Sequence, residues 1–148
     1  MQLGNTILLG LLLAASPAFA QQRLIEPGDP GSARATAMQM LRHLADGNLE
    51  AAASMSNAPQ RRLEVLRSYR DTVGEEELKR IYGRYFAPQN RVVAELAIGP
   101  RRMIVWELGD AGYRIAGQIY VEVDGKFVMD DVPSKERSEL RDLLKKYR

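Results

Sequence analysis

The chain contains no cysteine. That excludes disulfides, thiol nucleophiles, cysteine-based metal sites and acylation on a cysteine, whatever compartment the protein occupies. Histidine occurs once, at His43, so an imidazole base has no second histidine to orient it. Several chemical signatures are missing as well. There is no Gly-rich phosphate loop, no Gly-x-Ser-x-Gly and no His-Glu-x-x-His, and Ser54, Ser56, Ser68 and Ser138 have no histidine nearby in the sequence. Nucleotide, serine-hydrolase and metal readings lose their support, and neither a cofactor nor a metal is expected. A dominant charge is lacking too: 21 Lys and Arg stand against 19 Asp and Glu, a net charge of +2. Such a balance gives no ground for nucleic acid as a partner. There is no internal repeat, and no apolar run reaches the roughly 20 residues of a membrane-spanning helix.

Charged side chains are absent altogether from Met1 to Ala20. An apolar block from Ile7 to Ala15 is followed by Ser16-Pro17 and then Ala18-Phe19-Ala20. A hydrophobic core ending in a small-x-small site is the layout of a secretory signal peptide, although this one lacks the usual Lys or Arg near its start. The expectation is cleavage between Ala20 and Gln21 and export, to the periplasm if the source is a two-membrane bacterium. The mature chain is expected to make no stable membrane insertion. Residues 21–31 end in two prolines and two glycines within five positions, which makes them a flexible leader. Residues 32–148 are then of a size suited to one domain with its own core.

Periodicity divides that domain into two halves. Ser32 is placed to cap a first helix that ends near Asp46 with Gly47 at C′, and Ala37, Met40, Leu41 and Leu44 form its apolar stripe. Asn48 starts a short second helix. Asn57 and Pro59 open a third, lined by Leu66, Tyr69 and Val73 and broken at Gly74. Leu78, Ile81, Tyr82 and Tyr85 share one face of a fourth, and Pro88 closes the helical half. From Arg91 the period becomes two. Val92, Ala94, Leu96 and Ile98 alternate in one strand, and Ile104, Trp106 and Leu108 in a second. In the third, Tyr113, Ile115, Gly117, Ile119, Val121 and Val123 face one way, and Arg114, Ala116, Gln118, Tyr120 and Glu122 the other. Asp124-Gly125 is a hairpin turn into a fourth strand, Lys126 to Asp130. Pro133-Ser134 opens a last helix with Leu140, Leu143, Leu144 and Tyr147 on its apolar side. The class is α+β: N-terminal helices packed on a curved four-stranded antiparallel sheet, plus a C-terminal helix. The alternation predicts a sheet with one covered face.

The opening Ala37-Met38-Gln39-Met40-Leu41-Arg42-His43-Leu44-Ala45-Asp46-Gly47-Asn48 resembles the first helix and turn of exported members of the NTF2-like superfamily. The closing Tyr120-Val121-Glu122-Val123-Asp124-Gly125-Lys126-Phe127 is similar to their last hairpin. The resemblance covers roughly residues 33–131 and implies a cone-shaped α+β domain. Two features depart from the pattern. No strand is visible between Ser54 and Arg61, and the helix after Asp131 is an addition. Members range from enzymes to binding and assembly domains, so the fold by itself implies no activity. In enzymes of this kind a histidine or aspartate in the cone acts as base, and the outer sheet face often forms a dimer.

Candidate residues follow from both readings. His43 and Asp130 are the candidate bases. Asp130 and Asp131 are neighbours on a strand and point to opposite sides, and Asp131 is placed to favour the N-terminus of the last helix. Tyr82, Tyr85, Trp106 and Tyr113 suit the lining of an apolar ligand cavity, and equally suit core packing. Tyr120, with Arg114, Gln118 and Glu122, is expected to form an exposed sheet surface for a partner. Arg61, Arg62, Arg67 and Arg70 read as a solvated helix face. The function these features favour is an exported, non-enzymatic domain that binds an exported protein partner, itself as a homodimer, or a small apolar ligand. The alternatives are a small NTF2-like hydrolase or isomerase with an aromatic-lined pocket, and a structural protein of the cell envelope.

Overall fold

The computed structural model describes residues 29–112 and 114–146. The expected signal peptide, its Ala20–Gln21 junction, most of the leader, and Tyr113 lie outside the described residues. Among the described residues five α-helices and four strands follow in the expected order. Helix α1 (Ala33–Ala45) begins where the Ser32 hydroxyl accepts from the Ala35 N–H, and α2 (Leu49–Ser54) where Asn48 accepts from Ala51. Helix α3 (Pro59–Val73) has proline at its first position, where the missing N–H costs nothing. Gly74, at φ +91°, separates it from α4 (Glu75–Gly83), whose first turn carries Glu75, Glu76 and Glu77 against the positive end of the helix dipole. A short 3-10 turn, Arg84–Phe86, leads to the sheet. Helix α5 (Lys135–Lys145) is capped by Ser134, which accepts from Arg137 N–H.

The strands β1 (Asn90–Ile98), β2 (Arg101–Leu108), β3 (Arg114–Val123) and β4 (Lys126–Met129) form an antiparallel meander in that order. Asp124 and Gly125 both have positive φ, 51° and 79°, as a two-residue hairpin with right-handed strand twist requires. Helices packed on this sheet, with a further helix at the C-terminal end, make the domain α+β.

The sheet is covered on both faces, not one. Ile104, Trp106, Leu108, Tyr120, Phe127 and Met129 meet the apolar stripes of α1 to α4 in the larger core. Met103, Val105 and Ile119 meet Leu140 and Leu144 of α5 in a smaller one. The residues expected to face solvent on β3 therefore include a core residue: Tyr120 is 0% exposed. The apolar Ile face is the one that α5 closes. Burying leucines of this kind is worth about 1.5–3 kcal/mol each, which keeps α5 on the sheet.

Two local features adjust the layers. The ladder between β1 and β2 shifts register between Val92 and Ala94. This bulge leaves Val93 exposed and turns the alternation over, so Val92 packs with the larger core and Ala94, Leu96 and Ile98 with the smaller. Gly117 lies under α5, where a Cβ would stand 2.8 Å from Leu144 Cδ2 and 3.0 Å from Met103 Sδ. Its missing side chain lets the helix approach the sheet.

Candidate functional site

Strand β4 is much shorter than β3. On one side β3 pairs with β2 from Arg114 to Val121, but on the other it meets β4 only from Tyr120 to Val123. The outer edge of β4 is itself closed. Phe127 N–H donates to Gly31 O and Met129 N–H to Met55 O, Asn57 N–H donates to Met129 O, and the Thr36 hydroxyl donates to Phe127 O at 2.8 Å. Within the span where no strand was expected, Ser56 makes a single parallel bridge to Met129.

After Met129 the chain turns away from the lane beside β3, held by two carboxylates. Asp130 N–H donates to Ile119 O at 2.9 Å, and its fully buried carboxylate takes Arg101 Nε at 2.9 Å and Asn57 Nδ2 at 2.8 Å. Asp131 reaches the opposite way, to α3. It accepts from Ser56 Oγ at 2.6 Å and from both Nε and a terminal nitrogen of Arg62. It does not cap α5; Ser134 does.

Where β4 ends, a notch of about 530 Å³ opens beside β3. The helical layer contributes Met40 and Leu44 of α1, Arg62 and Leu66 of α3, and Tyr82 and Tyr85. The sheet contributes Met103, Gly117, Gln118, Ile119 and Met129, and α5 contributes Arg137, Arg141, Leu144 and Lys145. Four of the lining residues are cationic and none is acidic. Arg62 is neutralised by Asp131, and Lys145 pairs with Asp142 at 2.9 Å. Arg137 Nε donates to Asp130 O at 2.9 Å, and Arg141 has no ion-pair or hydrogen-bond partner among the described residues. Burial, then the charge of Arg141, lower the pKa of Arg137. Like charges four residues apart on a helix destabilise it, so an anion between them is favourable. A smaller recess of about 400 Å³ between α3 and α5 extends the same basic surface through Arg61, Arg62, Arg137 and Arg141.

The floor supplies neutral donors. Gln118 Oε1 accepts from Trp106 Nε1 at 3.2 Å and from the Tyr120 hydroxyl at 3.3 Å. Its NH2 group is left without a protein partner among the described residues, and it lines the notch. Burial raises the pKa of Tyr82 and Tyr85, which keeps both hydroxyls protonated and able to donate. Tyr85 stacks edge-to-face on Trp106 with centroids 5.1 Å apart.

The predicted site residues are only partly brought together. Tyr82, Tyr85 and Gln118 line the notch, and Trp106 lies behind Tyr85 at 2% exposure. Tyr120 is buried beneath the helices and Arg114 is exposed, so the four residues expected to form one open surface with Gln118 and Glu122 do not do so. His43 is half-buried on α1 and does not line the notch, and Asp130 is a buried ion-pair partner outside it. With no carboxylate or imidazole in its lining, the notch is built to donate hydrogen bonds and positive charge. Among the described residues there is no group of three or more metal-ligating side chains, and no helix is long and apolar enough to cross a membrane. Sequence reasoning missed Arg62, Arg137 and Arg141. The available signal was Arg137 and Arg141 one turn apart, bordering the Leu140–Leu144 stripe. No family model matches this chain, and no curated protein or solved structure matches it.

Proposed function

We propose that this protein is an exported binding domain, not an enzyme, that holds an anionic group of its ligand in the notch beside β3. The observation that carries the reading is the lining itself: Arg137, Arg141, Gln118, Tyr82 and Tyr85 stand among apolar side chains in a notch that no acid lines. Charge-assisted hydrogen bonds from such donors hold a carboxylate, sulfonate or phosphate, and Leu66, Leu144 and Met40 accommodate apolar atoms next to it. Export is supported by the uncharged, apolar stretch from Met1 to Ala20.

The single tryptophan, Trp106, reports on the site through its contact with Tyr85. Anilinonaphthalene sulfonate, an apolar anion, is the probe. Titrated into the purified protein, it is expected to quench Trp106 saturably and to accept energy from it. The double variant Arg137→Gln, Arg141→Gln should bind it about tenfold or more weakly, because charge-assisted bonds of about 1.5–3 kcal/mol are lost. Unsaturable quenching, or equal affinity in the variant, overturns the reading.

A further inference from the structure

The notch has a second property that a site for a small anion does not need. It opens at Gly117, on the unpaired length of β3 that lies beyond the end of β4. The bonds Glu122 N–H to Pro100 O and Asp130 N–H to Ile119 O show that even-numbered β3 residues address β2 and odd-numbered ones the β4 side. Beyond the end of β4, Ile115 and Gly117 therefore turn their N–H and C=O groups into the lane past Met129. Among the described residues nothing bonds to them there.

Edges of this kind are normally blunted. Among the described residues the others are. The outer edge of β4 is bonded by Gly31, Thr36, Met55 and Asn57. Edge strand β1 carries a bulge at Val93 and the exposed charges Arg91 and Glu95. Among the described residues, the β3 lane joins free backbone groups to a notch of about 530 Å³. Its walls differ. On the α5 side stand Arg137 and Arg141, and on the helical side Tyr85 and Leu66.

Resting on the binding function proposed above, we infer that the lane receives an extended acidic segment of a protein partner, added as a strand alongside β3. From Arg114 to Gly117 it accommodates about four residues at roughly 3.3 Å each. Successive side chains of an added strand alternate between the two walls. The recognised pattern is thus acidic residues toward Arg137 and Arg141, alternating with apolar residues toward Tyr85 and Leu66. Backbone bonds supply part of the affinity and the alternate side chains the selectivity. Charge argues against a second copy of this chain as occupant. Edge-to-edge pairing would bring Arg114, Arg137 and Arg141 of both copies together, and like charges so placed repel.

The test is a capped peptide of alternating glutamate and valine, titrated into the purified protein and followed by Trp106 fluorescence and amide exchange. Binding is expected to slow exchange at Ile115 and Gly117. Two further peptides carry backbone N-methyl groups on all valines or on all glutamates, which blocks one set of N–H donors each. The set that faces β3 should weaken binding about tenfold, from the loss of two or more backbone bonds. The variant Ile115→Pro, which deletes one edge donor and leaves the β2 ladder its own, should weaken the parent peptide in the same direction.

Equal binding by all three peptides, with unchanged exchange at Ile115 and Gly117, overturns the added strand and leaves an anion site. No peptide binding by a protein that still binds anilinonaphthalene sulfonate also overturns this inference alone. Failure of both probes removes the binding function with it. Protection of Ile115 and Gly117 in the free protein, together with a dimer in sedimentation, would make a second copy the occupant and overturn the choice of partner.

Discussion

Asp130 and Asp131 show how much one residue's position decides. That adjacent strand residues point to opposite sides is legible in the sequence. Their partners are not, because Arg101 lies 29 positions from Asp130 and Arg62 lies 69 from Asp131. Asp130 is a buried half of an ion pair, so its role is to anchor the end of β4 to β2. Removing its charge leaves Arg101, 17% exposed at its side chain, with only the longer contact to the half-exposed Glu136 at 3.8 Å. Asp130→Asn is therefore expected to lower the unfolding free energy by about 3 kcal/mol, measured by urea denaturation. His43 has no side-chain hydrogen bond among the described residues, and His43→Ala should change stability by no more than about 0.5 kcal/mol in the same assay.

At the level of elements, caps and turns were readable because they are local. Ser32, Asn48 and Ser134 start helices where their side chains bond an N–H three residues on. The bulge at Val93 was not readable. Val92, Ala94, Leu96 and Ile98 alternate as one face, and only the pairing with β2 shows that the face changes after Val92. Gly117 read as an ordinary member of an apolar face, yet it lies against Leu144 of α5, with no room for a Cβ. Gly117→Ala places a methyl 2.8 Å from Leu144 and is expected to destabilise the protein by about 1–3 kcal/mol. Protease cleavage within α5 should rise in parallel. Unchanged stability and unchanged cleavage would mean that α5 shifts freely on the sheet.

For the molecule as a whole, the helical layer and the sheet are also joined at their surface. Arg84, after α4, pairs with Asp110 in the β2–β3 connection at 3.1 Å. The hydrogen bond from Arg84 is the largest influence holding the Asp110 carboxyl below its ordinary range. A carboxylate depressed in the folded state contributes stability that is full above the unfolded value, near pH 4, and is lost as pH falls through the folded one. Arg84→Met should thus melt lower than the parent at pH 7, and the two melting temperatures should converge as pH falls into the acid range below the unfolded carboxylate value. A gap that persists unchanged into acid would assign the effect to packing of the Arg84 stem and not to the ion pair.

The order of helices and strands, the caps of α1, α2 and α5, the hairpin at Asp124-Gly125 and the α+β class were determined by the sequence alone. Each depends on residues within about one turn or one hairpin of each other, so periodicity and turn chemistry suffice. Alternation also tells which β3 residues share a side, but not what covers that side. Tertiary packing decided that the helical layer covers Tyr120 and that α5 covers the Ile face. It also decided that β4 stops short, leaving Gly117 in one notch with Arg137 and Arg141. Those outcomes arise from contacts between segments far apart in the chain, where the free energy of covering one apolar face or the other is settled only when all layers are present together.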